Sequence, residues 1–127
     1  MADPIHVAIQ GVSYAKITQI NPNEVYDLIP FDLNGNLFRE VTIECDTTNY
    51  RLIINLPEIS TLNGNYNTSI RIISLNAGDT GNNVSIDANL LNNNLIGSNG
   101  GVKLEHNGSN VILTPVSPTE WYGVIAI

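Results

Sequence analysis

Residues 40–62 constrain the fold most, because they alternate apolar and polar side chains in two short runs. The first run reads EVTIECD and the second reads YRLIINL. A period of two predicts β-strands that turn one face towards a core. The polar residues Asp46–Asn49 between the runs favour a turn, and Pro57 ends the second run because it has no backbone donor. This stretch therefore predicts two strands joined by a turn, the second of which ends at Pro57.

The same alternation recurs along the chain, with turn-forming residues roughly every ten positions. Asn34-Gly35 predicts a hairpin that leads into the strand at Val41, and Asn107–Asn110 predicts a second hairpin in the last third. No stretch has helical amphipathicity of useful length, and no fixed-period repeat is visible. The pattern predicts an all-β, antiparallel domain, either a β-sandwich or a jelly-roll-like fold.

With 127 residues, the chain is long enough for one domain with one core. We assign residues 37–127 to the β-sandwich or jelly-roll domain. Residues 1–36 are predicted to be an extended segment, in which the β-branched residues and Gly11 oppose a helix. Such a segment is typical either of an arm that docks on another protein or of an edge strand.

The charge pattern argues against two classes of partner. Only 13% of the residues are charged, the net charge is −7, and the five Lys and Arg residues are scattered. Nucleic acids and anionic membrane surfaces both require clustered cations, so neither is expected as a partner. No apolar run approaches the length of a membrane span, so membrane insertion is not expected either.

The sequence gives no positive sign of catalysis. Cys45 is the only cysteine, which excludes an intrachain disulfide, and its inward strand position predicts a buried thiol. His6 and His106 lack companions at metal-ligand spacing. No nucleophile elbow or nucleotide-binding loop is present, and the carboxylates are dispersed. We therefore expect no enzymatic activity, no metal and no cofactor.

Several predicted strands carry aliphatic side chains on both faces. A two-sheet sandwich buries only one face of each strand, so a neighbouring subunit is expected to cover the other. The alternative is that these are isolated surface aliphatics, which need no partner. The candidate residues for an oligomer interface are Ile53, Ile73, Ile112 and Val124.

A carbohydrate-binding, lectin-like β-sandwich is the alternative function. Its candidate glycan-binding residues are Trp121, Tyr122 and Asp79. Aromatic rings can stack on sugars, although a Trp in such a strand is more typical of a core. The loop at Asp79 offers oxygen ligands but lacks the EF-hand spacing, so a plain turn is the simpler interpretation.

A series of loose motifs follows in order along residues 40–127: Ile54-Asn55-Leu56-Pro57, Ile70–Ile73, Asn82–Ile86, Ile96-Gly97, Gly108–Val111 and Glu120–Ile125. In this order the motifs resemble small β modules of tailed-bacteriophage fibre proteins. The resemblance implies a β-rich homotrimeric virion component without enzymatic activity, assembled in the host cytoplasm.

The length fits a short head fibre or capsid decoration protein, because no shaft repeat or separate knob is present. By the same resemblance, residues 1–36 are the candidate capsid anchor, the major capsid protein or another virion protein is the expected partner, and a host cell-surface glycan is a further candidate partner.

Overall fold

The computed structural model describes residues 3–88, 94–96 and 101–126. Within them the chain forms eleven strands, one short α-helix and one 3₁₀ helix. The strands are β1 (Ile5–Ile9), β2 (Tyr14–Thr18), β3 (Glu24–Leu28), β4 (Glu40–Asp46), β5 (Leu52–Asn55), β6 (Ser69–Ser74), β7 (Val84–Asp87), β8 (Asn94–Ile96), β9 (Gly101–Leu104), β10 (Asn110–Ser117) and β11 (Glu120–Ala126). The 3₁₀ helix spans Ile59–Leu62 and α1 spans Ala77–Thr80.

The strands form two sheets, and the chain alternates between them from β1 to β10. The order in the five-stranded sheet is β1-β3-β5-β7-β9, and the order in the six-stranded sheet is β2-β4-β6-β10-β11-β8. Each return to a sheet passes through a strand of the other sheet, which acts as the crossover that parallel neighbours need. The resulting parallel pairs are β1–β3, β3–β5, β5–β7, β2–β4 and β4–β6.

The predicted antiparallel sandwich or jelly roll is therefore wrong, because both sheets are mixed. Antiparallel pairing is found for β7–β9, β6–β10 and β10–β11, while β8 runs parallel to β11. A single chain also gives no support for the homotrimer that accompanied this prediction.

The hairpin predicted around Asn107–Asn110 is wrong as well. Strands β9 and β10 lie in different sheets, so this turn carries the chain across the core. The turn at residues 47–51 does the same between β4 and β5. Polar turn residues indicate that the chain changes direction, but not whether it stays in its sheet. The hairpin of the last third is β10–β11 instead.

The core lies between the inner faces of the two sheets. Trp121 is the largest fully buried side chain, and Cys45 is fully buried as predicted. Burial raises the pKa of the Cys45 thiol to about 12, which keeps it protonated at neutral pH. Other core residues come from both sheets: Leu28, Val41, Ile43, Leu52, Ile54, Ile70, Ile72, Val84, Ile86, Leu104, Val111 and Leu113.

The N-terminal segment supplies strands to both sheets. Strand β1 forms one edge of the five-stranded sheet, and β2 forms one edge of the six-stranded sheet. Ile9, Ile17 and Leu28 of this segment belong to the core cluster. The predicted arm function of residues 1–36 stays a prediction, but the strands β1, β2 and β3 of this segment lie within the sheets.

Candidate interaction surface

The outer face of the six-stranded sheet is built from residues that alternate with the core positions. Strand register places its side chains in rows that cross β2, β4, β6, β10 and β11. The first row contains Tyr14, Thr42, Arg71, Ile112 and Val124. The next row contains Lys16, Glu44, Ile73, Asn110 and Ala126.

This outer face has a polar half on β2 and β4. The Tyr14 hydroxyl donates a hydrogen bond to a Glu44 carboxylate oxygen. That bond is the main reason why the pKa of Tyr14 is raised. At the end of the same strands, Thr18 Oγ1 donates to Asp46 Oδ2 at 3.3 Å. The paired side chains satisfy one another and leave this half hydrophilic.

The other half of the face, on β6, β10 and β11, carries most of the outward aliphatic and aromatic side chains, and we call it the apolar half. Ile73 and Ile112 are half-buried there, whereas Val124 is 52% exposed and Tyr122 is 49% exposed. Tyr122 pairs with Thr114, which lies two residues along β10 from Ile112 and on the same face. Ile112 in turn pairs with Arg71, so one cation lies within the apolar half.

Three of the four predicted interface residues thus come together, and the fourth does not. Ile73, Ile112 and Val124 share the apolar half. Ile53 is half-buried on β5 of the opposite sheet, where it pairs with Ser85. The sequence pattern identified outward aliphatics but could not assign them to the same sheet.

The predicted glycan-binding residues are not brought together. Trp121 is fully buried, so neither face of its ring is available to a sugar. Its indole Nε1 has no hydrogen-bond partner among the described residues. Tyr122 follows it on β11 and points to the opposite, exposed face, while Asp79 lies on α1 between β6 and β7. Glycan binding by this set stays a prediction, without a common site to support it.

The structure also reveals a polar group that sequence reasoning missed. The Nδ1 atom of His6 lies 2.8 Å from Asp27 Oδ2, and Asn55 Nδ2 donates to Asp27 Oδ1 at 3.0 Å. These residues lie on β1, β3 and β5, which are parallel neighbours. Only knowledge of this parallel pairing could have placed them side by side. His106, by contrast, is exposed after β9.

Within residues 3–88, 94–96 and 101–126, no group of three or more His, Cys, Asp or Glu side chains is arranged to hold a metal ion. Over the same residues, no helix has the length and apolar character needed to cross a membrane.

No known protein family matches the sequence, and a comparison with curated proteins found no similar protein. The resemblance to phage fibre modules therefore stays a prediction.

Proposed function

We propose that this chain is a non-enzymatic structural protein that assembles through the apolar half of its six-stranded sheet. The setting we propose is a virion, in which the chain acts as a head fibre or capsid decoration protein and helps the particle to attach to its host. The clustering of Ile73, Ile112, Val124 and Tyr122 on one outer face is the observation that carries the assembly function.

The composition of this face is typical of a protein interface. Interface centres are enriched in aromatic residues and Arg and depleted in other charges, and a polar rim surrounds them. Here Ile112 pairs with Arg71, Tyr122 lies on the same face two strands away, and the hydrogen-bonded polar half adjoins them. Covering a half-exposed aliphatic side chain contributes about 1 kcal/mol, so several together supply a useful driving force.

We propose a second copy of the chain as the first partner. The outer face carries both signs of charge: Lys16 and Arg71 are positive, and Glu44 and Asp46 are negative. Two copies can therefore meet without placing only like charges opposite one another, which would cost several kcal/mol. A capsid protein is the second partner in the proposed setting.

Light scattering coupled to size-exclusion chromatography tests the assembly at low micromolar concentration. The expected mass is a multiple of the 13.8 kDa chain. Val124→Asp should shift the mass to that of a single chain, because it buries a charge at the proposed interface. The matched control is Ile20→Asp, which adds the same charge at a 70% exposed site outside the face and should leave the oligomer intact. A wild-type monomer at this concentration contradicts the proposal.

Co-sedimentation with purified capsids of tailed phages tests the proposed setting. Binding by the wild-type protein is expected. If the protein self-associates but binds no capsid, the assembly function stands and the virion setting does not.

A further inference from the structure

A groove of about 600 Å³ lies where the parallel strands β3 and β5 end. Its floor includes His6, Asp27 and Asn55, whose side chains are hydrogen-bonded in a row. Its two walls are the segments that leave these strands towards the other sheet, residues 29–31 after β3 and residues 56–58 after β5. In open sheets with parallel strands, the carboxyl ends of neighbouring strands are a recurrent ligand position.

The walls are lined mainly by apolar residues and are held by backbone hydrogen bonds. Pro30 and Phe31 form one wall, in which Phe38 N donates to Pro30 O at 2.9 Å and Gly11 N donates to Phe31 O at 3.2 Å. Pro57 belongs to the other wall, which leads into the 3₁₀ helix that begins at Ile59. Proline rings and bridged backbone leave these walls little freedom, so the groove is formed before any ligand arrives.

The charged side chains that line the groove are mainly negative. Among the residues that the structure describes, two carboxylates line it, Asp27 and Glu58, and neither Lys nor Arg does. Within that same described lining, His6 is the only residue that can carry a positive charge. Because the whole chain also has a net charge of −7, an anion would be repelled, whereas a cation is attracted.

We propose that this groove binds an organic cation, that is, an amidinium, guanidinium or ammonium group attached to an apolar body. The charged group lies beside Asp27 and Glu58, and the apolar body packs on Pro30, Phe31 and Pro57. The apolar walls favour an organic cation over a hydrated metal ion, because burying them contributes free energy only if the ligand is itself apolar. The Phe31 ring adds an aromatic surface for the cation.

Benzamidine and benzamide are the probes, since they have nearly the same shape and only benzamidine is charged at neutral pH. Binding of each to the full chain is measured by calorimetry and by NMR shifts at low salt. The expected result is millimolar or tighter binding of benzamidine, with benzamide at least about threefold weaker. Equal binding of the two probes overturns the charge-based proposal, and so does the absence of benzamidine binding.

Isosteric variants then locate the site. Asp27→Asn and Glu58→Gln each remove one groove carboxylate and should weaken benzamidine binding about three- to tenfold. Asp79→Asn and Glu105→Gln remove the same charges at exposed positions outside the groove and should leave the affinity unchanged. If the control variants weaken binding as much as the groove variants do, the attraction is a general effect of net charge and the groove assignment is overturned. Circular dichroism confirms that each variant is folded, and Glu58→Gln keeps the test decisive if Asp27→Asn disturbs His6 and Asn55.

Discussion

At the residue scale, Asp46 has the clearest electrostatic role in the fold. It is the last residue of β4, and hydrogen bonds lower its pKa to about 2. The largest contribution is the hydrogen bond from the Thr48 side chain, followed by that from the Asn76 side chain. The Thr48 backbone amide also donates to Asp46 Oδ1, at 3.0 Å. These donors favour the ionised carboxylate in the folded state.

We predict that Asp46 makes stability depend on pH in the acid range. Its pKa is lower in the folded chain than the usual value of 3.8, so its contribution is fully present above pH 4 and is lost as the pH falls towards 2. Because the carboxylate is partly exposed, we expect a contribution of about 1 kcal/mol. Asp46→Asn should therefore lower the unfolding free energy at pH 6 but not at pH 2.

Urea denaturation from pH 2 to pH 6 measures this difference. Asp79→Asn, which removes a carboxylate on α1, is the control. If the stability difference between wild type and Asp46→Asn is the same at pH 2 and pH 6, the assigned role is wrong.

At the scale of elements, the hydrogen bonds around Asp46 also join the ends of two parallel strands. Strands β4 and β6 are parallel neighbours, and the segments that follow them must separate. Asn76, after β6, bridges this point: its Oδ1 accepts from the Thr47 amide at 2.8 Å, and its Nδ2 donates to Asp46 Oδ1 at 2.9 Å. Thr47 is itself fully buried, so its polar groups need these partners.

We predict that Asn76→Ala destabilises the fold by about 1 to 3 kcal/mol, because it leaves the buried Thr47 amide without its side-chain acceptor. Urea unfolding measures the loss. Asn67→Ala, in the exposed loop before β6, is the matched control and should change stability by less than about 0.5 kcal/mol. An equal effect of both substitutions would contradict the bridging role.

The elements also show what the sequence could and could not predict. Alternation located most strands, because burial of one face is a local property of the chain: Val41, Ile43 and Cys45 are buried as their spacing predicted. Pairing is not local. The turns at residues 47–51 and 105–109 have ordinary turn compositions, yet both cross between sheets, so the strands that each turn joins lie in opposite sheets and do not pair. The groove residues His6, Asp27 and Asn55 were missed for the same reason.

At the scale of the whole molecule, alternate winding makes each sheet depend on the full length of the chain. In the five-stranded sheet β1 pairs with β3 and β3 with β5, while in the six-stranded sheet β2 pairs with β4. The strands that intervene in sequence belong to the opposite sheet. Neither sheet can therefore be completed without the other, and we expect the two sheets to unfold together.

Because of this winding, we predict that residues 37–127 cannot fold without residues 1–36. Removing residues 1–36 takes away β1, β2 and β3 and, with them, the buried side chains of Ile9, Ile17, Tyr26 and Leu28. At about 1.5 to 3 kcal/mol each, these four side chains contribute roughly 6 to 12 kcal/mol, which is comparable to the whole stability of a typical domain. The truncated chain should therefore fail to fold.

Fluorescence of Trp121, the single tryptophan and a fully buried one, reports the outcome during urea titration. The wild-type chain and a control that lacks only residues 1–4, upstream of β1, should give the same cooperative transition. The chain without residues 1–36 should show solvent-exposed tryptophan emission and no transition. A docking arm behaves differently, because its removal leaves the remaining domain folded with an unchanged midpoint. That result would contradict the dependence of both sheets on β1–β3 and would support an anchor that is separable from the fold.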